Sequence, residues 1–149
     1  MVASRGWVVD ASVAAKWYLH DEEHVEAALT LLEDFEAGLL ALTAPYIIRY
    51  EIAATLVRAA RTGRITAEQL RHQLERFLQL AIHETGDPDV RLETALGLCF
   101  TYRIALYDAL YVALAQELGF RFVTADAELY RRVRDDLPHV AWIGDLPVS

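Results

Sequence analysis

Four acidic residues interrupt apolar stretches that would bury better without them. Asp10 closes Val8-Val9-Asp10, Glu51 lies within residues 46–53, Asp108 lies within residues 105–111, and Asp126 closes residues 122–126. An ionised carboxylate in apolar surroundings costs roughly several kcal/mol unless it is paired or bound to a metal. One helical turn from Asp108 stand Ile104, Tyr111 and Val112, and one turn from Glu51 stand Ile47, Ile48, Ala54 and Thr55, so neither has a local cation. Arg58, two turns beyond Glu51, is its structural competitor. If the fold gathers the four, the simplest partner is a hard divalent cation such as Mg²⁺, which takes oxygen ligands and keeps several waters. The chemistry then expected is metal-dependent phosphoryl transfer, with water as nucleophile. Ser12 and Thr124 add hydroxyls beside Asp10 and Asp126 that would orient carboxylates or waters. The purely structural alternatives are helix capping for Asp10, Asp126 and the two hydroxyls, a helix-dipole contact for Asp108, and an ion pair with Arg58 for Glu51.

The elements that must position these residues alternate in type. Short apolar runs at residues 6–10, 39–43, 121–124 and 139–143 read as strands, and residues 81–84 as a further short strand or a connector. Helical periodicity covers residues 12–19 after a cap at Ser12, 22–37, 45–62 with Pro45 in the first turn, 67–80 behind a Thr66/Gln69 capping box, 89–102, 106–118 and 126–133. Gly38, Gly63 and Gly119 stop three of them. This alternation predicts an α/β fold, a three-layer α/β/α sandwich on a mainly parallel central sheet. Binding sites in such sheets form beyond the carboxyl ends of the strands. Asp10 and Asp126 are expected there directly, and Glu51 and Asp108 near the starts of helices facing the same rim.

At 149 residues, with no linker or repeat, a single domain over residues 1–149 is expected. No apolar run approaches the roughly 20 residues that span a bilayer, and residues 1–6 carry no signal-peptide core. A cytoplasmic protein without a membrane partner is therefore expected. Cys99 is the only cysteine, which rules out an intramolecular disulfide and a Cys-based metal site. The formal net charge of −8 argues against nucleic-acid binding by bulk electrostatics, though not against a nucleic-acid enzyme whose acids are neutralised by metal. Lys16 is the only lysine, and Arg58, Arg61, Arg64 and Arg131, Arg132, Arg134 are local basic groups. His20, His24, His72, His83 and His139 form no metal-binding pattern and are given no catalytic work.

Taken in order, Val8-Val9-Asp10-Ala11-Ser12-Val13-Ala14-Ala15-Lys16-Trp17, Glu51-Ile52-Ala53-Ala54, Tyr107-Asp108-Ala109-Leu110-Tyr111-Val112-Ala113-Leu114-Ala115 and Val123-Thr124-Ala125-Asp126 resemble the PIN-domain ribonucleases. The likeness is specifically to the VapC-type toxins of bacterial and archaeal toxin–antitoxin pairs, and it covers essentially the whole chain. The resemblance implies a Mg²⁺- or Mn²⁺-dependent endoribonuclease of the PIN fold, acting on RNA. It further implies a homodimer silenced by a cognate VapB-type antitoxin from an adjacent gene. It makes Asp10, Glu51, Asp108 and Asp126 the catalytic and metal-binding quartet, with Thr124 as a supporting hydroxyl and Ser12 as a second candidate for that role. Glu128 is the nearest match to an additional acid that some relatives carry, with solvent exposure as its alternative. Lys16 either contacts RNA or covers apolar surface with its stem.

The competing readings are a PIN nuclease of RNA maturation and a catalytically idle PIN binding module. Loss of one acid would favour the idle module, and none is lost. A haloacid-dehalogenase-type phosphatase expects a second Asp where this chain has Ser12, and a dinucleotide-binding domain expects a GxGxxG that is absent. Trp17, Tyr18 and Tyr46 are the candidates for stacking on RNA bases.

Overall fold

Strand and helix alternate in the order β1 (Gly6–Val9), α1 (Ala11–Ala14), α2 (Val25–Glu36), β2 (Ala41–Thr43), α3 (Ile48–Arg61), α4 (Ala67–Gln79), α5 (Pro88–Tyr102), α6 (Leu106–Leu118), β3 (Arg121–Thr124), α7 (Ala127–Val133) and β4 (Val140–Trp142). Single 3-10 turns follow α1 at Ala15–Trp17 and β4 at Ile143–Asp145. This computed structural model describes residues 5–82 and 84–149; Met1 to Ser4 and His83 lie outside the described residues.

The strands form one parallel sheet in the order β2-β1-β3-β4, with Val8 opposite Thr43 and Phe122, and Val9 opposite Val123. Val8, Val9, Phe122 and Val123 are completely buried. That explains why β1 and β3 read as near-continuous apolar runs: a parallel sheet is covered on both faces. The chain leaves β1 towards β2 on one side, and β3 adds on the other. The strand order therefore reverses between β1 and β3, and a crevice opens beyond their carboxyl ends.

Helix α6 is apolar around most of its circumference because it lies across β1 and β3, burying Ala109, Tyr111, Val112, Ala113, Leu114 and Ala115. Gly119 ends it in the left-handed region, at φ +68°, where a side chain would be strained. Helix α5 packs along α6 at a bend of 116°, fastened by the buried Arg91. Its guanidinium reaches Glu84 at 2.8 Å, Glu117 at 2.7 Å and the Thr85 carbonyl. At the start of α4, Thr66 accepts from Gln69 N–H at 3.1 Å while Gln69 accepts from Thr66 N–H at 2.8 Å, the expected capping box.

Several boundaries differ from the sequence reading. The helix expected at 12–19 is four residues of α1 and the 3-10 turn, and Ser12 does not cap it; Asp10 holds the N-cap position without a side-chain cap bond. The helix expected from residue 22 begins at Val25, because His24 is in the left-handed region at φ 59°. Pro45 lies in the turn leading into α3, its carbonyl accepting from Ile48 N–H at 3.0 Å. Only residues 41–43 and 140–142 of the expected second and last strands are strand, and residues 81, 82 and 84 form a connector.

Candidate active site

Beyond the carboxyl end of β1, the Asp10 N–H still donates to the Val123 carbonyl at 3.1 Å, so its side chain emerges at the β1–β3 crevice. Asp10 is 5% exposed. Its Oδ2 accepts from Ser12 Oγ and from Thr124 Oγ1, each at 2.7 Å. Each hydroxyl is itself oriented by a backbone donor: Ser12 Oγ accepts from Ala125 N–H at 2.9 Å and Thr124 Oγ1 from Asp126 N–H at 3.0 Å. The two hydroxyl protons are thereby directed at one carboxylate oxygen. Burial raises the Asp10 pKa above the usual carboxylate range, the two hydroxyls counter it, and the Asp126 charge adds to it.

Glu51 occupies the first turn of α3, where it is acidic at the favourable end of the helix dipole. Its Oε1 accepts from Tyr111 Oη at 2.7 Å. Tyr111 is fully buried in α6 and its phenol is pushed far up by burial and by the Asp10 and Glu51 charges, so it remains a donor. Burial likewise raises Glu51, while the Tyr111 bond opposes the shift. Asp108, in the first turn of α6, is half-buried. Burial, followed by the charges of Asp10, Asp126 and Glu51, pushes its pKa up to about 7, and no cation or hydrogen bond among the described residues counters it. Asp126 is exposed and caps α7, its Oδ1 accepting from Glu128 and Leu129 N–H at 3.1 Å each.

All four acids line one cleft of about 510 Å³, and none of the four makes an ion pair with Lys or Arg among the described residues. They come from the ends of β1 and β3 and the first turns of α3 and α6. Among the described residues, no three His, Cys, Asp or Glu side chains stand close enough together to hold a metal ion as they are placed. The donor set still suits Mg²⁺ or Mn²⁺. Four mutually repelling carboxylates in an open cleft offer hard oxygen donors, and Mg²⁺ is ordinarily held by one or two carboxylates with water in its other positions.

Lys16, Glu22 and Arg58 line the same cleft. Lys16 is 7% exposed, and its Nζ lies 3.3 Å from Glu22 Oε1. Glu22 is also held by Arg64 at 3.1 Å, and Arg64 pairs in turn with Asp21.

Structure and sequence reading agree on the gathering of the four acids at one rim. They differ in detail. Glu51 bonds Tyr111 instead of Arg58, and Ser12 and Thr124 serve the Asp10 carboxylate instead of only local caps. Asp126 does both things, capping α7 and lining the cleft. Glu128 is exposed and paired with Arg132 at 2.8 Å. Trp17 and Tyr18 are buried against Phe77 and cannot stack on RNA as they stand, whereas Tyr46 is 52% exposed. Tyr111 is the site residue that the pattern of acids does not reveal; its signal in the sequence is a tyrosine inside an otherwise apolar helix, whose buried hydroxyl needs a partner.

A PIN domain family model matches residues 7–135. Ribonuclease VapC3 of Pyrobaculum aerophilum is 32% identical over 126 residues, covering 82% of this chain and 90% of its own length. VapC ribonuclease Mb0985 of Mycobacterium bovis and ribonuclease VapC9 of Mycobacterium tuberculosis are each 36% identical over 107 residues, covering 69% of this chain and 82% of theirs. The crystal structure of PAE2754 from Pyrobaculum aerophilum shares the fold, with a TM-score of 0.68 at 22% identity over 95% of this chain and 93% of that one.

Proposed function

This chain belongs to the PIN domain family, and from that premise we propose that it is a VapC-type endoribonuclease, the toxin of a toxin–antitoxin pair, hydrolysing RNA phosphodiester bonds with Mg²⁺ or Mn²⁺. The observation that carries the reading is the convergence of Asp10, Glu51, Asp108 and Asp126 on one cleft, with none of the four in an ion pair to Lys or Arg among the described residues. These four would hold the ion. The chemistry a bound divalent ion supplies there is activation of water at neutral pH and neutralisation of charge at phosphoryl oxygens.

The chain's own groups prepare that chemistry. Ser12 and Thr124 fix Asp10 in one orientation, and Tyr111 does the same for Glu51. Asp108, raised to about 7 by burial and then by the charges of Asp10, Asp126 and Glu51, is a group whose ionisation is sensitive to what occupies the cleft.

Two partners follow from this reading. A VapB-type antitoxin from an adjacent gene would block the cleft by inserting an Arg or Lys among the carboxylates, whose geometry suits a guanidinium fork. A second copy of the chain would cover the outward stripe of α5, where Leu92, Leu96 and Phe100 recur every fourth residue and Phe100 is 86% exposed. Light scattering of the purified chain tests the dimer.

The decisive experiment expresses the chain alone in a bacterial host, with sequencing of RNA 5′ ends after induction. Growth arrest and discrete cleavage, both abolished by Asp10→Asn, are expected, together with copurification of the neighbouring gene's product. A chain that cleaves RNA in vitro, is harmless at high expression and binds no neighbouring product would instead be an RNA-maturation nuclease. A chain that cleaves no RNA with Mg²⁺ or Mn²⁺ would be an idle PIN module.

A further inference from the structure

We infer that Lys16 and Arg58, which line the cleft together with the four acids, form a phosphate-anchoring subsite for the RNA backbone, with Glu22 as a built-in competitor for Lys16. The inference rests on the ribonuclease reading and names how that site takes its substrate.

A chain of net charge −8 with four acids in its cleft repels a polyanion, so a local source of attraction is required. Lys16 and Arg58 are the cations among the residues lining that cleft. Lys16 reaches it from the 3-10 turn after α1, its stem buried beside Ala15 and Trp17. Placing the chain's only lysine there is costly for a residue that is rarely fully buried.

The return for that cost is not the neutralisation of Glu22, because Arg64 already serves it at 3.1 Å. The Lys16–Glu22 contact, at 3.3 Å, engages one of three ammonium donors. Arg58 makes no ion pair among the described residues, although it lies two turns from Glu51 on α3. Glu51 is instead satisfied by Tyr111, which leaves the Arg58 fork available for a phosphate. The cleft thus carries four acids suited to cleavage and two cations suited to grip.

The test compares Arg58→Gln, Lys16→Gln and Glu22→Gln in the full-length chain. Binding of a labelled oligouridylate is followed by fluorescence anisotropy between about 50 and 200 mM salt, in an Asp108→Asn background with Mg²⁺ present. Arg58→Gln and Lys16→Gln should each weaken binding roughly tenfold and reduce the salt slope by about 0.7, the change for one lost phosphate contact on a single strand. Glu22→Gln should tighten binding, because Lys16 loses its competitor, and the gain should shrink when Lys16→Gln is added, whereas simple removal of a negative charge would tighten both chains equally. With Asp108 restored, the same substitutions should act on KM and leave kcat within about twofold. Since Lys16→Gln risks unfolding, Arg58→Gln and the gain in Glu22→Gln decide the matter. Unchanged affinity and slope in both overturn this subsite alone. Failure of the unmutated chain to cleave total cellular RNA with Mg²⁺ or Mn²⁺ overturns the ribonuclease reading on which it rests.

Discussion

Thr124 Oγ1 donates to Asp10 Oδ2 at 2.7 Å across 114 positions of sequence, and the same oxygen accepts from Asp126 N–H at 3.0 Å. One buried hydroxyl therefore links the acid after β1 to the acid after β3. Thr124→Val keeps the shape and removes both bonds. It should cost about 1–3 kcal/mol of stability, the penalty of leaving buried polar groups unsatisfied, and lower kcat about tenfold, as loss of a supporting hydrogen bond to a metal-binding carboxylate typically does. Thr124→Ser should restore activity. Equal cleavage by the Val variant in steady-state assays would show the hydroxyl to be only a turn-stabilising group.

Tyr111→Phe tests the corresponding support of Glu51. The phenol bond lowers the Glu51 pKa against burial, so its loss should raise that pKa further and reduce the ionised fraction at a given pH. The acid limb of the kcat/KM profile should move to higher pH. A profile that only scales down in height would mean that Tyr111 acts through packing.

Asp108 makes the metal-free fold pH-dependent. Its folded pKa is raised from 3.8 to about 7, so the proton is bound more tightly in the folded chain than in the unfolded one. The associated stability is fully present below 3.8 and is lost as pH rises through about 7. The raised Asp10 and Glu51 act in the same direction. Asp108→Asn should therefore raise the Tm of the metal-free chain above pH 7 by about 2–4 °C, the shift that 1 kcal/mol produces in a chain of roughly this size, and should have little effect near pH 4. Calorimetry across this range in EDTA would contradict the assignment if the variant were less stable at high pH.

Metal binding should show the complementary dependence, because ligand carboxylates must be deprotonated. Mg²⁺ or Mn²⁺ should raise the Tm of the unmutated chain, by the equivalent of about 2.7 kcal/mol at a hundredfold excess over Kd, and apparent affinity should fall as pH drops below about 7. Asp10→Asn should abolish the stabilisation. Titration calorimetry showing pH-independent affinity would place the ion elsewhere.

Hydrolysis by water should leave a 5′-phosphate and a 3′-hydroxyl, and a 2′-deoxy substitution at the scissile nucleotide should not block cleavage. End-group analysis finding a 2′,3′-cyclic phosphate would exclude the mechanism.

Much of this protein is decided locally. The apolar runs of β1 and β3, the capping box at Thr66 and Gln69, the stop at Gly119 and the cap at Asp126 each depend on neighbours within a few residues, and all are legible in the amino-acid order. So was the conflict between four carboxylates and their apolar surroundings, because a charge without a cation at helical spacing is a local fact. Which partner resolves each conflict is not local. Glu51 had Arg58 two turns away on its own helix and found Tyr111 on another, 60 positions on. Ser12, read as a cap, turns towards Asp10 and Ala125 because the β1–β3 pairing brings the β3–α7 turn over it. The proton affinity of Asp108 and the presence of Lys16 and Arg58 in the same cleft as the four acids are likewise set by assembly, since burial and summed charge depend on every element that closes around a group.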